Sequence, residues 1–274
     1  MIPFAKAHAC GNDFLIVTED AAAKRDWSDL SRQLCARNTG VGADGVEFFA
    51  WLGSKSGRIR LHNADGSIAE ISGNGTRCVA AWMCSMIGAK AGDELRIETD
   101  AGLRICRINS VRANGSYSVE VTTGMGIPSA SRKTVKLANG HSVEGLAVST
   151  GNPHFVIVVD SSDFSVAGTT WQEIGAQVCS HSDFAHQTNV EFVHIVSPNE
   201  IEIRIYERGV GPTTSSGTGT SASATAIIAF YRCLSPLRVV APGGAQTVKW
   251  DGPGSELELT GPATLIARGE AWCG

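Results

Sequence analysis

The stretch SGNGT at residues 72–76 returns as SGTGT at residues 216–220, and this internal repeat decides the fold. A second pair of motifs keeps nearly the same spacing, because CGNDF at residues 10–14 is echoed by TGNPHF at residues 150–155. Two motifs that repeat in the same order with almost one offset are improbable as a coincidence. The sequence therefore predicts two copies of one fold, joined in a single chain.

The pattern of apolar residues around the repeat favours strands over helices. Helical periodicity is confined to residues 27–37, 76–87, 171–178 and 218–230. Stretches typical of strands are more numerous: they cover residues 14–17, 46–51, 58–62, 94–98, 103–108, 116–121, 134–137, 155–159, 191–196, 202–206, 238–241 and 257–260. This balance indicates a β-rich α+β protein.

The repeat also predicts how the chain is divided. We expect an N-terminal half of residues 1–120 plus 264–274 and a C-terminal half of residues 121–263, with the turn-rich stretch at residues 122–128 as the boundary. Domain interfaces are favoured places for small ligands. We therefore expect the ligand site in the cleft between the two halves, with one SGxGT turn contributed by each.

Composition narrows the class of partner. The chain has 274 residues, eight cysteines, 43% hydrophobic and 18% charged residues and a net charge of −4. A chain of this size is not a small disulfide scaffold, which predicts reduced cysteines and a cytoplasmic location. The modest negative charge argues against nucleic acid, and no apolar run of 18 residues indicates a membrane span. A small molecule is the expected partner.

Two familiar site motifs are not supported by the sequence. The glycine pattern GVGADG at residues 40–45 matches the dinucleotide fingerprint in letters, but a predicted helix precedes it and a predicted strand follows it. The fingerprint needs the opposite order. The sequence also has no Cys-x-x-Cys and no His-x-x-x-His pair. We therefore predict neither a nucleotide nor a metal site.

Each repeated turn stands where a helix begins. Unpaired backbone N–H groups and the positive end of the helix dipole make such a position suited to an anion, and glycine lets the anion approach closely. A plainer interpretation is a tight turn whose serine caps the helix. The duplication favours the anion-binding interpretation, because two helix ends directed at one cleft suit one small anion.

Further polar residues stand at matching places in both halves. Asn63 lies nine residues before Ser72, and Glu207 lies nine residues before Ser216. Arg208 follows Glu207, and His154 belongs to the second Gly-Asn loop. Taken singly, these residues also fit an ordinary turn, a surface ion pair or a core histidine. Together they supply amide, carboxylate, guanidinium and imidazole groups, which suit a zwitterionic amino acid.

At these residues the sequence resembles the diaminopimelate epimerases. The resemblance runs from KAHACGNDF at residues 6–14 to LTGPA at residues 259–263 and includes GNGTRC at residues 73–78, TNVEF at residues 188–192 and YERG at residues 206–209. It implies a cofactor-independent isomerase that interconverts LL- and meso-diaminopimelate on the lysine and peptidoglycan pathway. It further implies two pseudo-symmetric halves, each an antiparallel β-barrel-like sheet around a central helix.

The resemblance also implies a role for each matching residue. The α-carboxylate would be held at the two helix ends, and the amino groups and distal carboxylate by side chains of both halves. His154 and Glu207 would sit beside the reacting carbon. The implied substrate-binding residues are Asn12, Asn63, Gly73, Asn74, Asn152, Asn189, Glu207, Arg208, Gly217 and Thr218.

The departure from the family pattern lies at the reacting positions. In the family the residue before each glycine turn is a cysteine, one thiolate acting as base and one thiol as acid. This chain has Ser72 and Ser216. A helix N-terminus can turn a cysteine of pKa near ~8.5 into a thiolate, but a serine hydroxyl is a far weaker acid. The catalytic set expected here is therefore Ser72 and Ser216 with His154 and Glu207.

Three functions remain open at this point. In the first, the chain is a cysteine-to-serine variant, natural or engineered, that binds a diaminopimelate-like amino acid with its chemistry lost or slowed. It is alternatively a racemase, epimerase or elimination enzyme for another amino acid, in which His154 or Glu207 assists serine. The third alternative is a non-catalytic amino-acid binding protein. The choice between monomer and homodimer is equally open.

Overall fold

A computed structural model describes residues 1–69, 71–113, 116–137 and 140–273. The chain divides into two compact units, one formed by residues 1–124 and 260–274 and the other by residues 125–259. Along the described ranges, no helix combines the length and the apolar character needed to cross a membrane.

Unit 1 is a barrel around one helix. Its elements are β1 (Ile2–Ala9), β2 (Asn12–Thr18), α1 (Glu19–Ala22), α2 (Trp27–Cys35), β3 (Gly45–Gly53), β4 (Ser56–Asn63), β5 (Ile68–Ala69), α3 (Gly73–Ile87), β6 (Glu94–Thr99), β7 (Gly102–Arg112) and β8 (Tyr117–Gly124). The part of a later strand, β17, that runs from Thr260 pairs with both β1 and β8. The strands β1, β2, β3, β4, β6, β7, β8 and β17 thereby form a closed ring.

Helix α3 fills this ring because it is apolar or small on nearly every side. Its first twelve residues, from Gly73 to Cys84, are all buried. They pack against inward-facing residues such as Phe14, Ile59 and Leu95 in one core cluster. A helix without a polar face has no stable place except the interior. It ends at Gly88, whose left-handed φ of 68° is a usual glycine stop signal.

Unit 2 repeats this order of strands and helices. Its elements are β9 (Ser129–Lys136), β10 (Ser142–Ser149), β11 (Pro153–Val159), α4 (Trp171–Cys179), β12 (Asn189–Ser197), β13 (Glu200–Glu207), β14 (Gly211–Thr213), α5 (Gly217–Phe230), β15 (Leu237–Ala241), β16 (Gly244–Lys249) and the start of β17 (Glu258–Ala271). Helix α5 is the counterpart of α3, and its small and apolar residues pack in one core cluster with the surrounding strands.

The connections follow the same order in both units. In unit 1, β2 leads through helices to its parallel neighbour β3, β3 and β4 form an antiparallel pair, and β4 leads through α3 to its parallel neighbour β6. In unit 2, β11, β12, β13 and β15 repeat this sequence of pairings around α4 and α5. The predicted duplication and the β-rich α+β class are confirmed.

The sheets differ from the expectation in one respect. The resemblance implies antiparallel sheets, and most pairs are antiparallel, but each unit also contains two parallel pairs. Each parallel pair is joined through a helix, because parallel neighbours need a long crossover that returns the chain to the same edge.

The predicted helices and strands are all present, with small differences at their ends. The sequence pattern missed β1, β10, β16, the short elements α1, β5 and β14, and most of β17 beyond residue 260. Strand β1 alternates small alanines with Pro3, Lys6 and His8, and β10 carries Gly145 at its centre. These residues weaken the apolar alternation that marks a strand.

Candidate functional site

The two serines cap the two central helices. Ser72 Oγ accepts a hydrogen bond from the Gly75 N–H at 3.0 Å, and Ser216 Oγ accepts one from the Gly219 N–H at 3.1 Å. Both serines have extended backbone angles typical of an N-cap, and both are half-buried. The capping interpretation is therefore correct locally in both units, and each hydroxyl keeps its own proton available for a further acceptor.

A buried glutamate lies against each helix start. Glu47 on β3 and Glu191 on β12 are both fully buried. Glu47 Oε1 overlaps the position that a Cβ on Gly75 would take, and Glu191 Oε1 lies 2.8 Å from the corresponding position on Gly219. Glycine at the third position of each helix thus makes room for a carboxyl group.

The two glutamates differ in their partners. Glu47 has no hydrogen-bond partner for either carboxyl oxygen among the described residues, and burial raises its pKa to about 8. Glu191 Oε1 lies 2.7 Å from His154 Nδ1, while its Oε2 lacks a partner in the described part of the chain. Burial raises the pKa of Glu191, and the charge and hydrogen bond of His154 oppose that rise. Because both groups are buried, their protonation is set by their surroundings and not by bulk solvent.

In unit 2 a chain of hydrogen bonds leads from Glu191 to the serine. His154 Nε2 lies 2.9 Å from Asn152 Oδ1, and Asn152 Nδ2 donates to Thr218 Oγ1 at 3.4 Å. Thr218 Oγ1 in turn lies 3.3 Å from Ser216 Oγ. The predicted residues Asn152, His154, Thr218 and Ser216 are thus brought together. His154 is only 1% exposed and both of its ring nitrogens are occupied, so it orients neighbours and presents no free nitrogen.

The predicted residues of unit 1 are held by a second network. Asn12 Nδ2 donates to Asp44 Oδ2 at 2.6 Å, and Asn12 Oδ1 accepts from Asn74 Nδ2 at 3.1 Å. Arg77, one turn into α3, is fully buried and donates to Asn74 Oδ1 at 2.5 Å and to the Gly73 carbonyl at 3.2 Å. The guanidinium therefore fixes the residues that follow Ser72.

Asn63 lies at the edge of this network. It is exposed, donates to Ser67 Oγ at 2.9 Å and closes a tight turn in which the Gly66 N–H donates to its carbonyl. The next residue ties the turn to the network, because the Ala64 N–H donates to the Asp44 carbonyl at 3.0 Å. Asn63 is thus placed near the loop of Asn12, with no direct bond recorded between the two side chains.

The remaining predicted residues of unit 2 meet at the end of β13. Asn189 Oδ1 accepts the Arg208 backbone N–H at 2.9 Å, and Asn189 Nδ2 donates to the Pro153 carbonyl at 3.1 Å. The exposed Arg208 guanidinium donates to the His186 carbonyl at 2.8 Å. Glu207 is half-buried and lines an open surface groove of about 360 Å³. Asn189 therefore links the second Gly-Asn loop to the YERG stretch.

Sequence reasoning missed Glu47, Glu191 and Arg77 as parts of the site. Arg77 and Glu191 stand inside motifs quoted for the family resemblance, but no role was predicted for them. Glu47 and Glu191 share the offset that relates Ser72 to Ser216. That shared offset was the available signal, and extending the repeat into the preceding strands would have found both carboxyl groups.

Known proteins match the chain in sequence and in fold. A family model described as diaminopimelate epimerase matches residues 4–129 and 146–266. The chain is 36% identical over 278 residues to a diaminopimelate epimerase of Corynebacterium glutamicum, covering 98% of each chain. It is 32% identical over 280 residues to that of Desulfitobacterium hafniense, covering 96% of each.

Solved structures resemble the chain in fold. A phenazine biosynthesis protein of the PhzF family from Bacillus anthracis matches with a TM-score of 0.74 at 17% identity, with 99% of each chain covered. A hydroxyproline epimerase from Agrobacterium vitis matches with a TM-score of 0.71 at 14% identity, covering 98% of this chain and 91% of that one.

The curated relatives, which match over nearly the full length, place the chain among the epimerase-type isomerases, and its fold is the one that the hydroxyproline epimerase adopts. Within that class the full-length match to the family model and to the curated relatives is decisive. The chain belongs to the diaminopimelate epimerase family.

Proposed function

We propose that this protein is an amino-acid epimerase of the diaminopimelate type, in which serine stands where the family has thiols. The observation that carries the proposal is the pair of equivalent helix starts, each with a capping serine, a buried glycine turn and a carboxyl group behind it. A helix N-terminus stabilises a carboxylate, and stabilising the α-carboxylate also stabilises the carbanion formed when the neighbouring α-hydrogen leaves.

The proposed binding roles follow from the family resemblance and the local geometry. The resemblance assigns the α-carboxylate to the first residues of α3 and α5, and the amino groups and the distal carboxylate to the amide and guanidinium groups. The residues assigned to the α-carboxylate are Gly73, Asn74, Gly217 and Thr218. Those assigned to the other polar groups are Asn12, Asn63, Asn152, Asn189, Glu207 and Arg208.

The network around His154 refines its proposed role. Because Nδ1 faces Glu191 and Nε2 faces Asn152, the imidazole acts by orienting Asn152 and by sharing a proton with Glu191. Ser72 and Ser216 are the groups nearest the helix ends and the ones proposed to face the α-carbon. The proposal involves no cofactor. A cytoplasmic location and homodimer formation stay predictions.

The test is hydrogen exchange in D2O. The protein is incubated with LL- or meso-diaminopimelate, binding is measured by calorimetry, and loss of the α-proton and the configuration are followed by NMR. Binding of both isomers with exchange and inversion supports the proposal. Exchange without inversion indicates one-sided chemistry such as elimination or slow single-base racemisation. The absence of binding refutes the substrate assignment.

A non-catalytic binding protein is the second candidate, and one observation favours it. Both serine hydroxyls already serve as helix caps, a role that needs no chemistry. This candidate predicts binding of the amino acid with no exchange of its α-proton during a long incubation. The same NMR experiment therefore separates the two functions.

A further inference from the structure

We infer that Glu47 and Glu191 supply and take the protons that pass through Ser72 and Ser216, in place of the two thiols. The inference rests on the proposed function and names the groups that would make it work. Serine alone cannot act as base or acid near neutral pH, since its hydroxyl ionises far less readily than a thiol. A carboxyl group close to each serine removes that obstacle.

The two glutamates are equivalent by strand register as well as by sequence. Glu47 pairs with Leu61 on the neighbouring antiparallel strand, and Glu191 pairs with Ile205. Their parallel neighbours are Ile16 and Val156. Each glutamate therefore occupies one defined place in the common fold, and that place lies against the start of the central helix.

The geometry at each helix start brings carboxyl and serine close together. A Cβ on Gly219 would lie 2.8 Å from Glu191 Oε1 and 3.2 Å from Ser216 Oγ. At the other helix, the Cβ position of Gly75 is overlapped by Glu47 Oε1 and lies 3.2 Å from the Ser72 Cβ. Carboxyl and serine therefore lie around one point at each helix start, without a direct hydrogen bond between them among the described residues. One water molecule between the two groups would carry the proton, which is within the reach of general acid–base catalysis.

The two carboxyl groups are buried without a full set of hydrogen-bond partners, which indicates a role beyond packing. Glu47 lacks a partner for both oxygens, and Glu191 for one, among the residues that the structure describes. Leaving a buried polar group unsatisfied costs about 1–3 kcal/mol, and an apolar residue of similar volume would avoid that cost. Unsatisfied buried groups of this kind are expected where a protein uses them.

The two carboxyl groups have different neighbours, because one pair of equivalent positions carries different residues in the two units. His154 is paired with Asn189 in the parallel register, and the matching pair in unit 1 is Phe14 with Gly45. Glu191 therefore has an imidazole partner, whereas the equivalent position beside Glu47 carries a phenyl ring. An isolated buried carboxyl favours its neutral form, while an imidazole favours the charged form.

The proton count of the pair follows from the hydrogen bonds. Asn152 Oδ1 can only accept, so His154 Nε2 carries a hydrogen and donates to it. The short contact between His154 Nδ1 and Glu191 Oε1 then contains one shared proton. The pair as a whole is neutral, and Glu191 Oε2, which lacks a partner in the described part of the chain, is the atom that takes one further proton. Glu47, in its neutral form, has one proton to give.

The proposed step balances without any oxidant or reductant. The Cα–H bond breaks and its proton goes to Ser216 Oγ as that hydroxyl passes its own proton to the Glu191–His154 pair. The electron pair stays on the α-carbon and its carboxylate. On the other face, Ser72 gives its proton to the α-carbon and receives the proton of Glu47. The opposite configuration runs the step in reverse. The serines meet the substrate, and the glutamates are positioning residues that hold the protons.

The experiment compares Glu47→Gln with Glu191→Gln in D2O. If each carboxyl serves one face, Glu47→Gln exchanges the α-hydrogen of only one of the two isomers, LL- or meso-diaminopimelate, and does not invert it. Glu191→Gln shows the opposite preference. Inversion falls by at least ~100-fold in both variants, as expected for loss of a general acid or base, while calorimetry shows diaminopimelate affinity within a few-fold of the original. Glu47→Asp and Glu191→Asp restore part of the inversion rate.

The control is Glu94→Gln, because Glu94 is exposed on β6 and pairs with Arg107 on the surface. It is expected to behave as the unaltered protein. Equal exchange of both isomers by Glu47→Gln overturns the inference, as does binding without any exchange by the unaltered protein. Failure of the unaltered protein to bind refutes the proposed function itself. If a glutamine variant does not fold, the corresponding aspartate variant takes its place in the experiment. The ratio of α-hydrogen exchange rates for LL- and meso-diaminopimelate is then compared with that of the unaltered protein, and an unchanged ratio overturns the inference.

Discussion

Replacing Glu47 by glutamine should change how the stability of the protein depends on pH. Glu47 is fully buried, and burial raises its pKa from 4.5 to about 8 in the folded chain. Between these two values the folded chain keeps a proton that the unfolded chain has already lost. The free energy of unfolding therefore falls as pH rises through this window. Glutamine has nearly the same shape and does not titrate there, so the variant lacks this contribution.

The size of the effect follows from the pKa difference. One unit of pKa corresponds to about 1.4 kcal/mol, so the full contribution is about 5 kcal/mol, lost by the time the pH has passed the folded-state pKa of Glu47. Between pH 5.5 and 7.5 the stability of the unaltered protein relative to Glu47→Gln should fall by about 3 kcal/mol, because each pH unit in this window costs about 1.4 kcal/mol.

The assay is urea unfolding of both proteins at several pH values, with the difference between them plotted against pH. Taking the difference removes the contribution of every other titrating group. Glu47→Leu provides a second comparison and should give the same slope, because it also removes the ionisation. A difference that stays constant from pH 5.5 to 7.5 would refute the argument that Glu47 is neutral in the folded chain.

Three further predictions concern the helix starts. Ser72→Ala and Ser216→Ala each remove an N-cap and should lower the free energy of unfolding by about 1 kcal/mol; urea midpoints unchanged within error would contradict the capping role. Ser72→Cys and Ser216→Cys together should raise the rate of epimerisation measured by NMR by ~100-fold or more, because a helix N-terminus promotes the thiolate. Either change alone should have little effect. Equal rates for the serine protein and the double variant would refute this prediction. Gly75→Ala should lower the free energy of unfolding by about 1–3 kcal/mol, because the new methyl group meets the Glu47 carboxyl. Adding Glu47→Ala should recover part of that loss. An unchanged free energy of unfolding in Gly75→Ala would show that the carboxyl moves aside easily.

The sequence predicted the central helices and the repeated order of elements well, because these depend on local apolar patterns and on a spacing visible in one chain. It did not predict the parallel pairs, such as Phe14 beside Gly45. A strand's own pattern shows that it is a strand but not which neighbour it takes. The family resemblance implies antiparallel sheets, whereas the crossovers through helices make two strand pairs in each unit parallel.

In the candidate site, too, the sequence predicts the residues with a local signal and misses those that tertiary contacts bring in. The glycine turns and the Gly-Asn loops could be read directly, since their residue types are unusual and repeated. The local pattern does not mark Glu47 as a site residue, because a glutamate within the run GVEFF of residues 45–49 is typical of an exposed position on a strand, and only its offset from Glu191 points to it. Its burial results from the helix that packs over it, which is a tertiary contact without a local signal.

The closure of the unit 1 barrel by β17 has a consequence for synthesis on the ribosome. The residues of unit 2 form one continuous stretch, from 125 to 259, whereas unit 1 also needs residues 260–274, which follow that stretch. Strand β1 leaves the ribosome before unit 2 and waits for its neighbour in β17 until all of unit 2 has been synthesised. Domains generally fold as soon as their residues are available. The second half of this duplicated chain is therefore complete before the first, and the order of folding is the reverse of the order of synthesis.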